Sequence, residues 1–378
     1  MFDSILIPLD GSPLAECVLP HAVALMQSFH PKVTLLHVMD NGGKDAPTAS
    51  INALDWQLRQ MEAEHALKAL GSQLREFSVV ASDQIAQDAQ IVDSQIDMHI
   101  VEGGAAESIL NWARDHDNDL IVLGSHGRGG LSPWHISSVA HKVISRAAAS
   151  VLLVRVDHDS VNSVNSVNSV NGSCAALALD HVRYKRILLP MDGSQRAECV
   201  LPVAATLANQ HGAQIVLAHV AHRPDLPGRT PPSQELLDMT EQFVERNRNE
   251  AEQYLQEIKN RLPGDVETRV RVSDNVSASL HEIVANEAID LVLMSAHGYS
   301  GQSRWPQGSV TANFMAYGSV PLLMVQDMIY TLPGNKRPVQ ANAQPNIALG
   351  GSLAGAYSSG HSGAQASARR DTILVGGR

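Results

Sequence analysis

The sequence has few of the residues that build disulfide frameworks, metal centres or nucleic-acid surfaces. Its 378 residues include three cysteines, Cys17, Cys174 and Cys199, and none of them forms a Cys-x-x-Cys pair. A disulfide scaffold or a cysteine metal site is therefore not expected. Lysine and arginine total 28 against 39 acidic residues, which gives a formal net charge of -11. Because nucleic-acid binding depends on basic side chains that neutralise phosphates, this balance argues against a nucleic-acid partner but not against a single nucleotide.

Long apolar runs are also missing, although hydrophobic residues make up 44% of the chain. A membrane-spanning helix needs about 20 consecutive apolar residues, and no run approaches that length. The first residues, Met-Phe-Asp-Ser-Ile-Leu, lack the basic region of a secretory signal peptide. We therefore expect a globular cytoplasmic protein without a membrane partner.

Short apolar runs, typical of strands buried on both faces, alternate with helical stretches in the first half of the chain. The pattern predicts strands at Ile5–Leu9, Val33–Val38, Ile100–Val101, Leu120–Leu123 and Val151–Val154. It predicts helices from Pro13 to His30, from Ala53 to Phe77, from Ala105 to Arg114 and up to about Ala148. Such alternation favours parallel pairing, right-handed crossovers and helices on both faces of the sheet.

The second half repeats the first. The segment Ile187-Leu-Leu-Pro-Met-Asp-Gly-Ser194 matches Ile5-Leu-Ile-Pro-Leu-Asp-Gly-Ser12, and Ala197–Pro202 repeats Ala15–Pro20 identically. A repeat of this length indicates two copies of one domain, which we place at residues 1–156 and 183–327.

Two segments fit neither copy. Residues 157–182 contain the triplet Ser-Val-Asn four times from Ser160 to Asn171. A period of three matches neither helix nor strand, so we predict a flexible linker. Residues 328–378 are rich in Gly, Ala, Ser, Asn and Pro, and we predict a disordered tail there because this composition buries little apolar surface.

Each copy has a loop of small residues between its fourth strand and the next helix. The loops begin Leu123-Gly-Ser-His-Gly-Arg-Gly-Gly130 and Met294-Ser-Ala-His-Gly-Tyr-Ser-Gly301. Free N–H groups in such a loop and at a helix start can hold a phosphate. In an open parallel sheet, ligands bind at the carboxyl ends of the strands where the strand order reverses.

Asp10 and Asp192 end the first strand of their copies. If the first and fourth strands are neighbours, each Asp faces the loop of its own copy. A carboxylate in that position can accept hydrogen bonds from a ribose hydroxyl or a base amine. The alternative is that both residues are ordinary turn or helix-capping residues.

With these motifs the chain resembles a tandem universal stress protein that has two UspA-type domains. Nucleotide-binding members of that family carry a Gly-x2-Gly-x9-Gly-Ser/Thr loop, which binds ATP on a Rossmann-like sheet of strand order 3-2-1-4-5. The resemblance therefore implies an α/β fold with two doubly wound open parallel sheets of that order in tandem. It also implies ATP, together with Mg²⁺, as the cofactor of a stress-response or regulatory protein.

The loops depart from the family pattern at different positions. The first copy reads Gly124-x2-Gly127-x9-Ser137-Ser138, so Ser137 replaces the third glycine. The second reads Ser295-x2-Gly298-x9-Gly308-Ser309, so Ser295 replaces the first. Serine is a mild replacement and a favoured helix cap near a helix start, so we expect Ser137 to be compatible with a phosphate site.

The resemblance assigns nucleotide contacts in both copies. In the first copy they are Pro8, Asp10, Val38, Leu123, Gly124, His126, Gly127, Ser137, Ser138 and Val139. In the second they are Pro190, Asp192, Val220, Met294, Ser295, Gly298, Gly308, Ser309 and Val310. No catalytic or metal-binding residue is assigned. The equivalent histidines His126 and His297, and His37 and His219, are interpreted as hydrogen-bonded structural residues rather than as metal ligands or acid–base groups.

Other functions remain as alternatives. The main one is a universal stress protein that no longer binds nucleotide and acts as a scaffold for protein partners, which the sequence does not identify. An adenylate-forming or pyrophosphatase enzyme would carry Ser-Gly-Gly-x-Asp-Ser after its first strand, where this chain has Pro-Leu-Asp10-Gly-Ser-Pro. A receiver domain would have paired acidic residues there. Since no Walker-type lysine is present, at most slow ATP hydrolysis is expected.

The resemblance also predicts how the two copies associate. Single-domain members of the family dimerise through their fifth strands, and tandem members can form the same pair within one chain. We therefore predict intramolecular pairing through Val151–Val154 and Pro321–Val325. A further homodimer of the whole chain is left open.

Overall fold

The computed structural model describes residues 1–40, 53–80, 96–127, 136–155, 182–223, 233–299 and 307–326. The predicted linker, apart from Val182, and the predicted tail at 328–378 lie outside these ranges. So do Cys174 and the middle of each small-residue loop, at 128–135 and 300–306.

Strands and helices alternate through both halves. The first half contains β1 Ser4–Leu9, α1 Pro13–Glu16, α2 Leu19–Phe29, β2 Lys32–Met39, α3 Ala53–Val80, β3 Ile96–Glu102, α4 Ala105–Asp115, β4 Leu120–Gly124, α5 Ser138–Ile144 and β5 Ser150–Val154. The second contains β6 Arg186–Pro190, a 3-10 turn Ala197–Val200, α6 Leu201–His211, β7 Gln214–Ala221, α7 Gln234–Arg261, β8 Val266–Val272, α8 Val276–Asn286, β9 Leu291–Ser295, α9 Ser309–Tyr317 and β10 Leu322–Val325.

Most predicted elements differ from the observed bounds by one to three residues, and three differ more. The helix predicted from Pro13 to His30 is broken after Glu16, because Pro20 has no N–H to donate to the Glu16 carbonyl and α2 restarts at Leu19. The third strand extends beyond the predicted Ile100–Val101 pair. Most of its residues are only partly buried, so its apolar signal in the sequence is weak. Helix α5 ends at Ile144 instead of near Ala148.

The described strands form one ten-stranded sheet of order β3-β2-β1-β4-β5-β10-β9-β6-β7-β8. The predicted order 3-2-1-4-5 is therefore confirmed in each half. The expectation of two separate sheets is refined, because β5 and β10 pair antiparallel and join the halves. Leu322, Leu323 and Met324 stand opposite Leu153, Leu152 and Val151, which confirms the predicted pairing.

Helices cover both faces of this sheet, as predicted. Alternate strand residues point to opposite faces, so Ile5 and Ile7 pack towards α2 and α3 while Leu6 packs towards α4 and α5. The same division continues across the junction, because Leu152 and Leu323 belong to the first cluster and Leu153 and Leu322 to the second. The two halves therefore share both hydrophobic cores.

A polar cluster lies where the two halves meet beside β6. Tyr184 is 2% exposed, and its hydroxyl is 2.9 Å from Nδ1 of His21 on α2 of the first half. The ring of His211, at the end of α6, lies edge-on to Tyr184 at 5.1 Å. At the equivalent place in the first half, the apolar ring of Phe2 packs edge-on against Phe29. Burial lowers the pKa of His21 to about 4 and also lowers the pKa of His211, so neutral imidazoles occupy this junction at neutral pH.

The His21 pKa predicts a defined loss of stability in acid. The unfolded chain binds a proton on His21 near the ordinary pKa of 6.5, whereas the folded chain does so only near pH 4. The stability that neutral His21 contributes at pH 7 is therefore lost progressively as the pH falls through this window. Between pH 7 and pH 5 we expect the free energy of unfolding to fall by about 2 kcal/mol more in the parent chain than in His21→Val.

Urea unfolding at both pH values checks this expectation. Valine is the replacement of choice because Val203 occupies the equivalent position in the second half. His222→Gln, which removes an exposed histidine, is the control and should leave the acid loss unchanged. An equal loss in the parent chain and in His21→Val contradicts the assignment.

Candidate functional site

A crevice opens at the same point in both halves, where the strand order reverses. β1 leads through α2 to β2 on one side, and β4 leads through α5 to β5 on the other. The adjacency of β1 and β4 that the sequence left open is confirmed, with Ile5 opposite Leu120 and Leu6 opposite Ile121. Beyond these pairs, Pro8 and Leu9 pair with β2. The carboxyl ends of β1 and β4 therefore border a switch-point crevice, as β6 and β9 do in the second half.

Asp10 begins a tight turn at the end of β1. Both the N–H and the hydroxyl of Ser12 donate to Asp10 Oδ1, at 2.9 and 2.6 Å. Gly11 between them has a φ of 75°, which side chains disfavour. Ser12 Oγ in turn accepts from Ala15 N–H at 3.2 Å and caps α1. The turn role that the sequence offered as an alternative is therefore real.

Asp192 makes the same turn in the second half. The N–H and hydroxyl of Ser194 donate to Asp192 Oδ1 at 3.0 and 2.6 Å, and Gly193 has a φ of 80°. Ser194 Oγ accepts from Ala197 N–H at 3.1 Å. The two copies thus form the same turn with the same three hydrogen bonds.

Each Asp also lies against the loop of its own half. A Cβ placed on Gly127 would overlap Asp10 Oδ2 and stand 3.2 Å from its Cγ. A Cβ on Gly298 would meet Asp192 in the same way, with its Cγ also at 3.2 Å. A side chain at the second glycine of each loop would therefore displace the Asp carboxylate or the loop. The structure brings these residues together as the crevice hypothesis expected.

Tyr299 adds a contact that the sequence did not identify. Its backbone N–H donates to Asp192 Oδ2 at 2.6 Å, while its side chain is 82% exposed. The contact uses a main-chain group, so no residue type at position 299 could have signalled it. As a result, Asp192 holds both the turn after β6 and the loop after β9.

The third motif position tolerates serine. Ser137 and Gly308 have nearly the same backbone, with φ of -70° at both and ψ of 158° and 162°. A Cβ on Gly308 would meet the Ala296 carbonyl oxygen at 3.6 Å, an ordinary contact. Ser137 Oγ accepts from Ala140 N–H at 3.2 Å and caps α5, whereas no side chain caps α9 at Gly308. The start of α9 therefore offers more open N–H groups than the start of α5.

The first motif position has a serine in the second half, and its hydroxyl is used within the loop. Ser295 is 7% exposed, and its Oγ donates to the His297 carbonyl at 2.5 Å. The Ser295 carbonyl accepts from Thr311 Oγ1 at 3.0 Å. The Ser295 hydroxyl therefore stabilises the loop, and the Thr311 bond to the Ser295 main chain ties the loop to α9.

The other assigned residues divide by exposure. Leu123 and Met294 have side chains in the core, 6% and 4% exposed, so only their backbone can face a ligand. His126 and His297 are buried, 6% and 1% exposed, which agrees with their interpretation as structural residues. Partly buried or exposed positions at the crevice edges and helix starts are Gly124, Pro8, Val38, Pro190, Val220, Ser138, Val139, Ser309 and Val310.

The two crevices differ in charge. Glu16, beside Asp10, is 4% exposed, and its Oε2 has no hydrogen-bond partner among the described residues. Burial raises the pKa of Glu16, and the Asp10 charge raises it further. The equivalent Glu198 accepts from Arg261 Nη1 at 2.7 Å and from Tyr254 Oη at 3.5 Å. The first crevice thus contains a carboxyl oxygen without a hydrogen-bond partner among the described residues, whereas the equivalent Glu198 is paired with Arg261.

Histidine and acidic side chains do not gather into a metal site in the described part of the chain. Within those ranges, no group of three or more His, Cys, Asp or Glu residues is placed to hold an ion. None of the helices described there is both long enough and apolar enough to cross a membrane.

Comparison with known proteins identifies the repeated domain. The model of the universal stress protein family matches residues 1–155 and 183–326. A universal stress protein of Bacillus subtilis is 28% identical over 157 residues, which are 41% of this chain and 100% of that protein. One from Methanocaldococcus jannaschii is 30% identical over 158 residues, 41% of this chain and 96% of that protein.

A solved structure shows a similar fold over most of the chain. A universal stress protein of Pseudomonas aeruginosa covers 86% of this chain and 93% of its own, with a TM-score of 0.53 at 11% identity. At that identity the likeness concerns the fold alone. Because the family model matches both halves, this chain belongs to the universal stress protein family and contains its domain twice in tandem.

Proposed function

We propose that this protein binds ATP in one or both switch-point crevices and acts as a stress-response or regulatory protein whose shape or partners depend on nucleotide occupancy. The observation that supports this most strongly is the contact between Asp and glycine in each half. Asp10 lies against Gly127 and Asp192 against Gly298, so the ribose-binding group and the phosphate loop of the family pattern lie on the same crevice.

The Asp192 carboxylate retains capacity for a ligand. A carboxylate has about four acceptor positions, and Asp192 receives three hydrogen bonds, from Ser194 N–H, Ser194 Oγ and Tyr299 N–H. The remaining position suits a ribose hydroxyl. Pro190 and Val220, partly buried at the same edge, offer apolar contact to a base.

Phosphates would be held by main-chain N–H groups. In the second half the uncapped start of α9 after Gly308 supplies such donors at the positive end of a helix dipole. Mg²⁺ would enter bound to the nucleotide phosphates, since this ion usually keeps several waters and few protein ligands. The ion supplies charge neutralisation when bound, and the residues of this chain position the nucleotide.

We propose a binding protein and not an efficient ATPase. The resemblance assigns no catalytic residue, and the sequence contains no Walker-type lysine to stabilise a transferring phosphoryl group. Slow hydrolysis would be compatible with regulation by nucleotide occupancy.

A scaffold without nucleotide is the second candidate, and the first crevice favours it. The buried Oε2 of Glu16 there has no described partner, and a second carboxyl group beside Asp10, close enough for the Asp10 charge to raise the pKa of Glu16, disfavours a polyphosphate. Ser137 Oγ also already occupies one donor at the start of α5. The second crevice has neither feature, so we expect it to be the stronger ATP site.

Analysis of the purified protein for bound nucleotide separates the two candidates. The protein is denatured and the released nucleotide identified, and the stripped protein is then titrated calorimetrically with ATP and Mg²⁺. We expect ATP binding in this titration. No released nucleotide and no heat at millimolar ATP would favour the scaffold.

Replacement of each Asp should remove the site of its own half. We expect Asp192→Ala to abolish binding in the second crevice and Asp10→Ala to abolish it in the first, because each deletes the proposed ribose acceptor and the carboxylate that lies against the loop glycine. Calorimetric stoichiometry measures the loss, and circular dichroism verifies that each variant is folded. Unchanged stoichiometry in both variants would contradict the assigned crevices.

Two glycines of the second loop should respond differently to the same substitution. Gly298→Ala places a Cβ onto Asp192 Oδ2 and should displace the loop, weakening ATP binding at least about tenfold, the equivalent of one 1.4 kcal/mol step. Gly308→Ala adds only an ordinary contact and is the matched control, with an affinity change of less than about threefold. Similar losses in both variants would show that the approach of Asp192 does not shape the site.

A further inference from the structure

Each half of the protein contacts the carboxyl end of the helix that follows the loop of the other half. Arg155, the residue after β5, donates through Nη2 to the carbonyls of Phe314 and Met315, at 2.5 and 2.7 Å. These carbonyls lie in the last turn of α9, where a cation is favoured, and the Phe314 carbonyl also accepts from Gly318 N–H at 2.8 Å. Burial lowers the pKa of Arg155 to about 10, so the guanidinium stays charged at neutral pH.

The reciprocal contacts come from the second half. Gln326, the residue after β10, donates through Nε2 to the Ala147 carbonyl at 3.2 Å, in the turn that follows α5. Gln307, next to Gly308, donates through Nε2 to the carbonyl of Ile144, the last residue of α5, at 2.9 Å. Arg155 and Gln326 occupy equivalent positions in the repeat, so the exchange of contacts is mutual.

These contacts begin at the loops themselves. In the first half, Ser125 N–H donates to the Val154 carbonyl at 2.8 Å, so the first loop is bonded to the residue before Arg155. In the second half, Ala296 N–H donates to the Val325 carbonyl at 2.8 Å, one residue before Gln326. Each loop is therefore hydrogen-bonded to the residue that precedes Arg155 or Gln326, the side chains that contact the other half.

The helices complete the connection. α9 runs for nine residues from Ser309 to Tyr317, and a helix of this length is a stiff rod of about 13 Å. Its first residues follow Gly308 in the second loop, and its last turn contacts Arg155. These contacts connect the first loop to the second loop through Arg155 and α9. They also connect the second loop to the first loop through Gln307 and α5.

We propose that the two crevices are energetically coupled through these crossed helix contacts, with Arg155 as the positioning residue. This inference rests on the proposed function, with nucleotide in both crevices. Nucleotide in the first crevice orders the first loop and, through Val154 and Arg155, holds α9 in place. The second crevice then binds nucleotide at a lower ordering cost, which produces positive cooperativity.

The coupling is measured as a ratio of affinities. Because coupling is reciprocal, the ATP affinity of the weaker first crevice is determined in the parent chain, where the second crevice fills first, and in Asp192→Ala, which leaves the second crevice empty. We expect an affinity about five times higher or more in the parent chain. Arg155→Gln should reduce this ratio to near one, and Arg155→Lys, which keeps the cation at the helix end, should restore part of it.

Arg183→Gln is the matched control. Arg183 also donates to a carbonyl at a helix end, that of His211, at 2.8 Å, but within its own half and away from both loops. It should leave the ratio unchanged. A ratio of one in the parent chain, or an equal effect of Arg155→Gln and Arg183→Gln, would overturn the proposal.

A measurement without nucleotide separates failure of the coupling from failure of the proposed function. Hydrogen exchange of the nucleotide-free chain is compared between the parent and Arg155→Gln. We expect several-fold faster exchange at Gly308 and at Ser125, at the two loops, as well as in the last turn of α9. If the chain binds ATP in only one crevice or in neither, the affinity ratio cannot be measured and this exchange comparison alone tests the coupling. Faster exchange confined to the end of α9 would then overturn the coupling.

Discussion

The antiparallel pairing of β5 with β10 is the contact on which the rest of the structure depends. Leu152, Leu153, Leu322 and Leu323 are fully buried there, and each contributes on the order of 2 kcal/mol by leaving water. Without this pairing both strands would be open edges of hydrophobic sheets, which invite association with other chains. The pairing instead joins the described strands into one sheet and brings Arg155 and Gln326 to the helices of the opposite half.

At each crevice, a structural and a functional role meet in the same side chain. Asp10 and Asp192 close the turn after the first strand of each half and also press against a loop glycine. The loop glycine at this contact is therefore held in place before any ligand binds, which lowers part of the ordering cost of binding. The crevices are nevertheless unequal, because Glu198 is paired with Arg261 whereas the buried Oε2 of Glu16 has no described partner.

The strands could be predicted from the sequence because their signals are local, whereas the crevice also depends on the adjacency of the first and fourth strands, which the sequence left open. Ile5–Leu9 is a continuous apolar run, and the repeat identifies the equivalent strand of the second half, which begins near Ile187. The pairing of β5 with β10 came from the family resemblance and not from periodicity. The contacts of Tyr299 N–H and of Arg155 with carbonyls join main-chain groups far apart in sequence, and no residue pattern encodes them. The break before Pro20 has a local cause, because proline has no N–H to donate, but the apolar residues on both sides keep helical spacing and predict one continuous helix.

The most direct measurement is a crystal structure of the whole chain grown with ATP and Mg²⁺. The account predicts nucleotide density in one crevice or both, with ribose hydroxyls at the carboxylate of Asp192 or Asp10 and phosphates against the N–H groups of the adjoining loop. Nucleotide bound elsewhere on the chain, or empty crevices at saturating ATP, would contradict it.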